Sequence, residues 1–268
     1  MALGLLAMGG LYAAFAPAQA DETTSTDAQV AQGRELFTVN CSTCHGLNGE
    51  GIKLTDGDGQ DQMGPSLVGV GAAAVDFQVG TGRMPLTQPG QQGPAKQTVF
   101  TDEEREAIAA FVATLGPGPA IPNEEDYSTA GMSDEEREKA IVLGGQIFLA
   151  NCTACHNFDG AGGAMPRGGY APSLHDTSPK HIYEALLTGP GPMDKFSNGN
   201  ISPDDKRAVI AYIESIREEP EAGGFGLGAV GPVAEGLFTW LGIAVLVGIA
   251  TWIAAHTTRT SKKKVEEA

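Results

Sequence analysis

The chain has 268 residues, with 17 Lys and Arg against 33 Asp and Glu and a formal net charge of −16. That acidity excludes nucleic acid as a partner and favours encounter with basic protein surfaces. Its 37 glycines, 16 prolines and few aromatics point to about two small, loop-rich domains of the kind a bound cofactor completes.

Residues 1–20 are apolar and close on Ala18-Gln19-Ala20, the small-residue pattern of a signal cleavage site, but carry no Lys or Arg. They are read as a signal segment or a retained hydrophobic helix, with retention favoured. The acidic part follows: from Asp21 to Gly236 there are 13 Lys and Arg against 31 Asp and Glu, a net charge of −18.

A first domain is placed at 27–116. It opens with a helical period in which Gly33 lies four residues before Phe37, and runs into Asn40-Cys41-Ser42-Thr43-Cys44-His45. The turn Gly64-Pro65-Ser66-Leu67 and the stretch Thr81-Gly82-Arg83-Met84-Pro85 come next. The domain closes on a second helix, with Thr101 and Glu104 as its capping box and Ile108, Phe111, Val112 and Leu115 as its apolar face. A Pro-, Gly- and acid-rich linker occupies 117–132.

The domain then repeats at 133–219. Shifted by about 111 residues, Gly144 falls on Gly33, Phe148 on Phe37, and Asn151-Cys152-Thr153-Ala154-Cys155-His156 on the first cysteine motif. Ala171-Pro172-Ser173-Leu174 answers the Gly64 turn, and Thr188 to Met193 answers Thr81 to Pro85. Ser133 and Glu136 form a capping box on the opening helix. Ser202 followed by Pro203 starts the closing helix, whose apolar face is Val209, Tyr212, Ile213 and Ile216. Gly33 and Gly144 would let opening and closing helices cross closely, and no strand of any length is predicted.

Leu237 to Ala255 is uncharged over nineteen residues and is bracketed by Trp240 and Trp252, so a transmembrane helix is placed at 237–256. The tail 257–268 carries Arg259, Lys262, Lys263 and Lys264, which puts the C-terminus in the cytoplasm and the acidic repeats outside it.

All four cysteines lie in the two Cys-x-x-Cys-His motifs, the attachment pattern of c-type haem. The two thiols of each, Cys41 with Cys44 and Cys152 with Cys155, add to the haem vinyl groups, and His45 or His156 reaches the iron from the same face. Zinc would need four ligands at closer spacing than two pairs 111 residues apart, and a thiol redox pair would not require the histidine. Met84 and Met193 occupy equivalent places after the histidines and are the candidate sixth ligands, since a thioether suits ferrous iron. Met63, Met165, His175 and His181 compete for that role; the two histidines are read as surface residues.

With "CSTCHG", "GPSLVGVG", "FQVGTGRMP", "NCTACHNFDGAGGA", "YAPSL", "LLTGPGPMDKFS" and "GPVAEGLFTW" in hand, each half resembles a class I cytochrome c. The whole resembles the dihaem cytochrome c subunit of the actinobacterial menaquinol:cytochrome c reductase. The resemblance implies a mainly α fold: two tandem class I cytochrome c-like domains, a C-terminal transmembrane helix and an N-terminal hydrophobic helix. It implies that Pro65 and Pro172 offer backbone carbonyls to the Nδ1 protons of His45 and His156. It further implies two covalently bound haem c groups relaying electrons from a Rieske iron-sulfur subunit, beside a cytochrome b subunit, to a haem-copper oxidase in a supercomplex. The chain would be a reductase subunit without bond chemistry of its own. Rival readings are a dihaem peroxidase with one open iron, or an electron-donor subunit of another membrane dehydrogenase.

Overall fold

The computed structural model describes residues 27–53, 62–87, 92–165, 168–218 and 232–266; the hydrophobic segment 1–20 lies outside them. Helix α1 (Asp27–Asn40) leads through the one-turn helix α2 (Ser42–His45) to strands β1 (Ile52–Lys53) and β2 (Gln62–Gly64), paired antiparallel. Helix α3 (Ala72–Gly80) and helix α4 (Asp102–Ala113) complete the first repeat.

The crossing of α1 and α4 is set by Gly33, where a Cβ would stand only 1.8 Å from the Ala107 carbonyl oxygen. A residue without a side chain is what lets the two backbones meet. Phe37 consequently reaches Phe111, with ring centroids 5.1 Å apart and a 53° tilt, in a core that includes Val75, Val79, Ile108 and Val112. The capping box of α4 forms as predicted: the Glu104 N–H donates to the Thr101 hydroxyl, and the Thr101 N–H donates to the Glu104 carboxylate at 2.9 Å.

The same plan recurs in α6 (Asp134–Asn151), α7 (Thr153–His156), the antiparallel pair β3 (Gly163–Ala164) and β4 (Tyr170–Ala171), α8 (Pro179–Thr188) and α9 (Pro203–Glu218). A Cβ at Gly144 would lie 1.9 Å from the Ala208 carbonyl oxygen, and Phe148 meets Tyr212 at 5.3 Å. Ser133 and Glu136 form the expected capping box, and the Asp205 N–H donates to the Ser202 hydroxyl at 3.2 Å to cap α9. Within the linker stands one helical turn that the sequence does not announce, α5 (Glu124–Tyr127), closed by a hydrogen bond from the Asn123 N–H to the Asp126 carboxylate. The two-residue and three-residue strands are also unannounced, being too short to show alternation.

The contacts divide the chain into two compact units. One joins the residues up to Ser128 with Ser178–Lys206; the other joins Thr129–Thr177 with the residues from Arg207 onward. The second sequence repeat contributes to both, because α8 packs on α3 and α5.

Helix α10 (Pro232–Glu266) contains the apolar stretch Gly236–His256, 21 residues long and with none of it buried. Trp240 and Trp252 are 71 % and 65 % exposed. Leaving such a surface in water is costly, and its length matches the hydrocarbon core of a bilayer. The helix outruns the predicted span at both ends.

Candidate haem c sites

Core packing delivers the first motif. Phe37 is buried, and the Cys41 N–H donates to its carbonyl at 2.8 Å, while the His45 N–H donates to Cys41 at 3.0 Å. Cys41, Cys44 and His45 thus lie on one turn continuing α1. The His45 ring is nearly buried, with Nδ1 2.8 Å from the Pro65 carbonyl oxygen. A carbonyl can only accept, so Nδ1 carries the proton and Nε2 keeps its lone pair for an iron. The Gly51 N–H bonds to the His45 carbonyl and the Leu67 N–H to Gly49, each at 2.7 Å, tying the motif to the Pro65 turn. Gly64 permits the approach: a Cβ there would come within 2.3 Å of the Cys44 carbonyl oxygen and 3.1 Å of His45 Nδ1.

The second motif is built likewise. The Cys152 N–H donates to Phe148 at 2.8 Å, the His156 N–H to Cys152 at 2.9 Å, and His156 Nδ1 lies 3.0 Å from the Pro172 carbonyl oxygen. The Gly162 N–H bonds to the His156 carbonyl at 2.9 Å. Burial lowers the pKa of His156, with the Pro172 bond opposing, so the imidazole is held in the neutral form that ligates a metal.

Burial, with a small contribution from the neighbouring cysteine, pushes the Cys41 and Cys152 thiols up to about 11. A thiol-exchange centre needs the opposite shift, because the thiolate is the reactive form. The zinc and redox readings therefore gain nothing from the geometry. Two residues after each histidine stands an exposed apolar side chain, Leu47 at 62 % and Phe158 at 55 %. A planar apolar group bound at the motif gives such side chains something to cover. Two thiols, one Nε2 lone pair and an apolar rim at each motif fit a haem c.

The predicted sixth ligands stand on separate loops. Met84 follows α3, its N–H bonded to Gln78 at 2.9 Å, and it is half-buried against the Phe37 core. Met193 follows α8, half-buried, with its N–H bonded to Pro190 at 3.2 Å. Of the competing histidines, His175 has Nε2 bonded to the Asp159 carbonyl at 2.7 Å and serves the loop. His181 departs from the surface placement expected of it. It is half-buried, edge-on to Phe77 at 6.1 Å, because α8 lays that face on α3. The sequence reading also missed Gly64 as a site-shaping position, although it opens the repeated turn.

A family model described as Cytochrome c matches residues 30–116, and one described as Cytochrome C oxidase, cbb3-type, subunit III matches 139–213. The cytochrome bc1 complex cytochrome c subunit of Corynebacterium efficiens is 41 % identical over 267 residues, covering 96 % of this chain and 88 % of the relative. The chain belongs to the cytochrome bc1 complex cytochrome c subunit family. The subunits of that name from Corynebacterium diphtheriae, 41 % identical over 96 % of this chain and 92 % of theirs, and Mycobacterium tuberculosis H37Rv, 40 % over 95 % and 89 %, agree. Membership of the cytochrome bc1 complex cytochrome c subunit family and two cytochrome c-type domains make it a haem c protein, and the apolar stretch of α10 fits a membrane anchor.

Proposed function

We propose that the chain is the membrane-anchored dihaem electron carrier of a respiratory quinol–cytochrome-c reductase. The observation that carries this reading is the repeated turn in which a histidine Nδ1 is engaged by a proline carbonyl, at 2.8 Å and 3.0 Å, leaving Nε2 directed to one use. Residues 27–116 and 133–219 are the two haem domains. Cys41, Cys44, Cys152 and Cys155 would attach the groups covalently, and His45 with Met84, and His156 with Met193, would ligate the irons. Bound haem c supplies a one-electron iron couple.

The chain's own residues then do three things. The proline carbonyls fix each imidazole and make it a better donor. The methionine thioethers favour the ferrous state and block substrate access, which favours a carrier over a peroxidase. The helix 237–256 holds both haems beside donor and acceptor, with the acidic domains outside the cytoplasm and the tail 257–268 inside. Electrons enter from the Rieske iron-sulfur subunit next to cytochrome b and leave to a haem-copper oxidase. The names of the three relatives given above, each a cytochrome bc1 complex cytochrome c subunit, support this assignment.

The test is truncation before Leu237. The soluble product should retain both haems and accept electrons from reductants, while membranes carrying only that form lose most quinol-driven oxygen uptake, since tethering no longer raises the local concentration. Added soluble cytochrome c should change little in native membranes. If native membranes require it for turnover, direct transfer to the oxidase is wrong.

A further inference from the structure

Helices α3 and α8, one from each repeat, bring together ionisable side chains that the haem sites do not use. Asp76 on α3 and Glu184 on α8 are both fully buried. Asp76 is held by two cations: Arg105 Nε donates to its Oδ1 at 2.7 Å, and Lys180 Nζ lies 2.8 Å from its Oδ2 as an ion pair without a hydrogen bond. Arg105 also holds Asp102 at 2.6 Å. Glu184 has no such supply. Among the described residues its nearest cation, Lys180, is 3.9 Å away, beyond hydrogen-bond reach, and no N–H or O–H serves either of its carboxyl oxygens. It does meet the Asp76 carboxylate side chain to side chain.

Two carboxylates in contact cannot both stay ionised inside a protein, and a carboxyl oxygen buried without a donor is costly. One proton on Glu184 removes both penalties, because the acid then donates to Asp76. We propose that Asp76 and Glu184 share this proton and so form a pH-sensitive latch fastening α3 of the first repeat to α8 of the second. The latch has a clear position: α3 ends four residues before Met84 and α8 five before Met193. Each clamped helix leads directly into a loop that carries a proposed axial ligand.

Burial first, and Asp76 second, push the Glu184 carboxyl up to about 10; burial acts against Asp76 as well, but the hydrogen bond with Glu184, then Lys180 and Arg105, hold it below its ordinary range. His181, on the same turn, is kept neutral by burial and by Lys180, Arg105 and Arg83, against the opposing pull of Asp76. Helix α5, also packed on α8, carries Glu124, Glu125, Asp126 and Tyr127, of which Asp126 is turned back to the Asn123 N–H. The sign follows from the raised value. The folded chain holds a proton that the unfolded chain releases above about 4.5, so the contact is strongest on the acid side. It weakens as pH rises toward 10, by up to about tenfold in its opening equilibrium per pH unit.

A metal ion is the competing occupant, since ligand atoms of Asp76, His181 and Glu184 lie within 4.8 Å of one another. Two cations already in contact with Asp76 argue for the proton. The experiment uses the full haem-loaded chain in detergent. Infrared spectra at neutral pH should show the carbonyl band of one protonated carboxylic acid that is lost in Glu184→Gln. It should also be lost in Asp76→Asn, where Glu184 is free to ionise against Lys180 and Arg105. Amide hydrogen-exchange protection of Ile182 to Leu186, corrected for the intrinsic rate, should fall between about pH 6 and about pH 9 in the wild type. In Glu184→Gln, which keeps a donor but cannot titrate, it should stay level. An unchanged band in both variants, the same pH slope in Glu184→Gln, or a rise in wild-type protection on adding zinc or calcium ions overturns the latch. If Glu184→Gln fails to fold, loss of the wild-type band on raising the pH supports the proposal, and its persistence overturns it.

Discussion

Replacing Gly144 with alanine should cost far more stability than the same change one residue later. The new Cβ at Gly144 would stand 1.9 Å from the Ala208 carbonyl oxygen and 2.4 Å from its carbon, both main-chain atoms. A carbon–oxygen contact needs about 3.3 Å, so α6 and α9 must part by more than ~1 Å. That separation forfeits much of the dispersion between Phe148 and Tyr212 and their neighbours. Overpacking usually costs about 1–3 kcal/mol, and a clash with unyielding backbone belongs at the upper end, ~3 kcal/mol. For a domain of this size the melting temperature falls by roughly 12 °C or more. At Gly145 the Cβ would meet only the Tyr212 ring, 3.2 Å away, which can turn aside. The gain in helix propensity of about 1 kcal/mol offsets that strain. Denaturant unfolding of the haem-loaded protein, followed at the Soret band, separates the two variants. Equal stability of Gly144→Ala and Gly145→Ala would refute the reasoning that close backbone approach positions the second cysteine motif.

Cys41→Ala combined with Cys44→Ala should remove half of the covalent haem, seen as half the haem stain on a denaturing gel; undiminished stain would sink the first site. Met84 or Met193 replaced by a residue that cannot ligate should open one iron to carbon monoxide and shift its potential. An unchanged potential would move that ligand elsewhere, with His181 the first alternative in the second domain. Lys206 is buried with its Nζ donating to Asn198 Oδ1 at 2.7 Å and to the Ile201 carbonyl at 2.8 Å. Lys206→Met leaves both acceptors without that donor in the loop after Met193. It should lower stability by about 2–3 kcal/mol in denaturant titrations, and a loss below ~0.5 kcal/mol would show the loop does not depend on it.

What could be read from the sequence is what is local or repeated. The capping boxes at Thr101 and Ser133 and the Gly33 and Gly144 crossings rest on short patterns that occur twice, whereas the histidine-to-proline bonds follow only from the family resemblance. Helices α3 and α8 escaped because the pattern needs a neighbour to explain it. Asp76 and Glu184 are acidic residues on helices, ordinarily solvent-facing, and 108 positions apart nothing in the string pairs them. Only the packing of α8 on α3 turns them into a buried cluster and draws His181 inward. One signal was present: Ser178 followed by Pro179 is a helix start, and Gly189 in the left-handed conformation ends that helix.

The most direct test of the carrier assignment is a redox-titrated optical spectrum of the purified chain, combined with a pyridine haemochrome assay. The account predicts two c-type haems per chain, both low-spin with histidine and methionine ligands, and neither reduced iron binding carbon monoxide. A single haem per chain, or one iron that binds carbon monoxide in the unaltered protein, would contradict it.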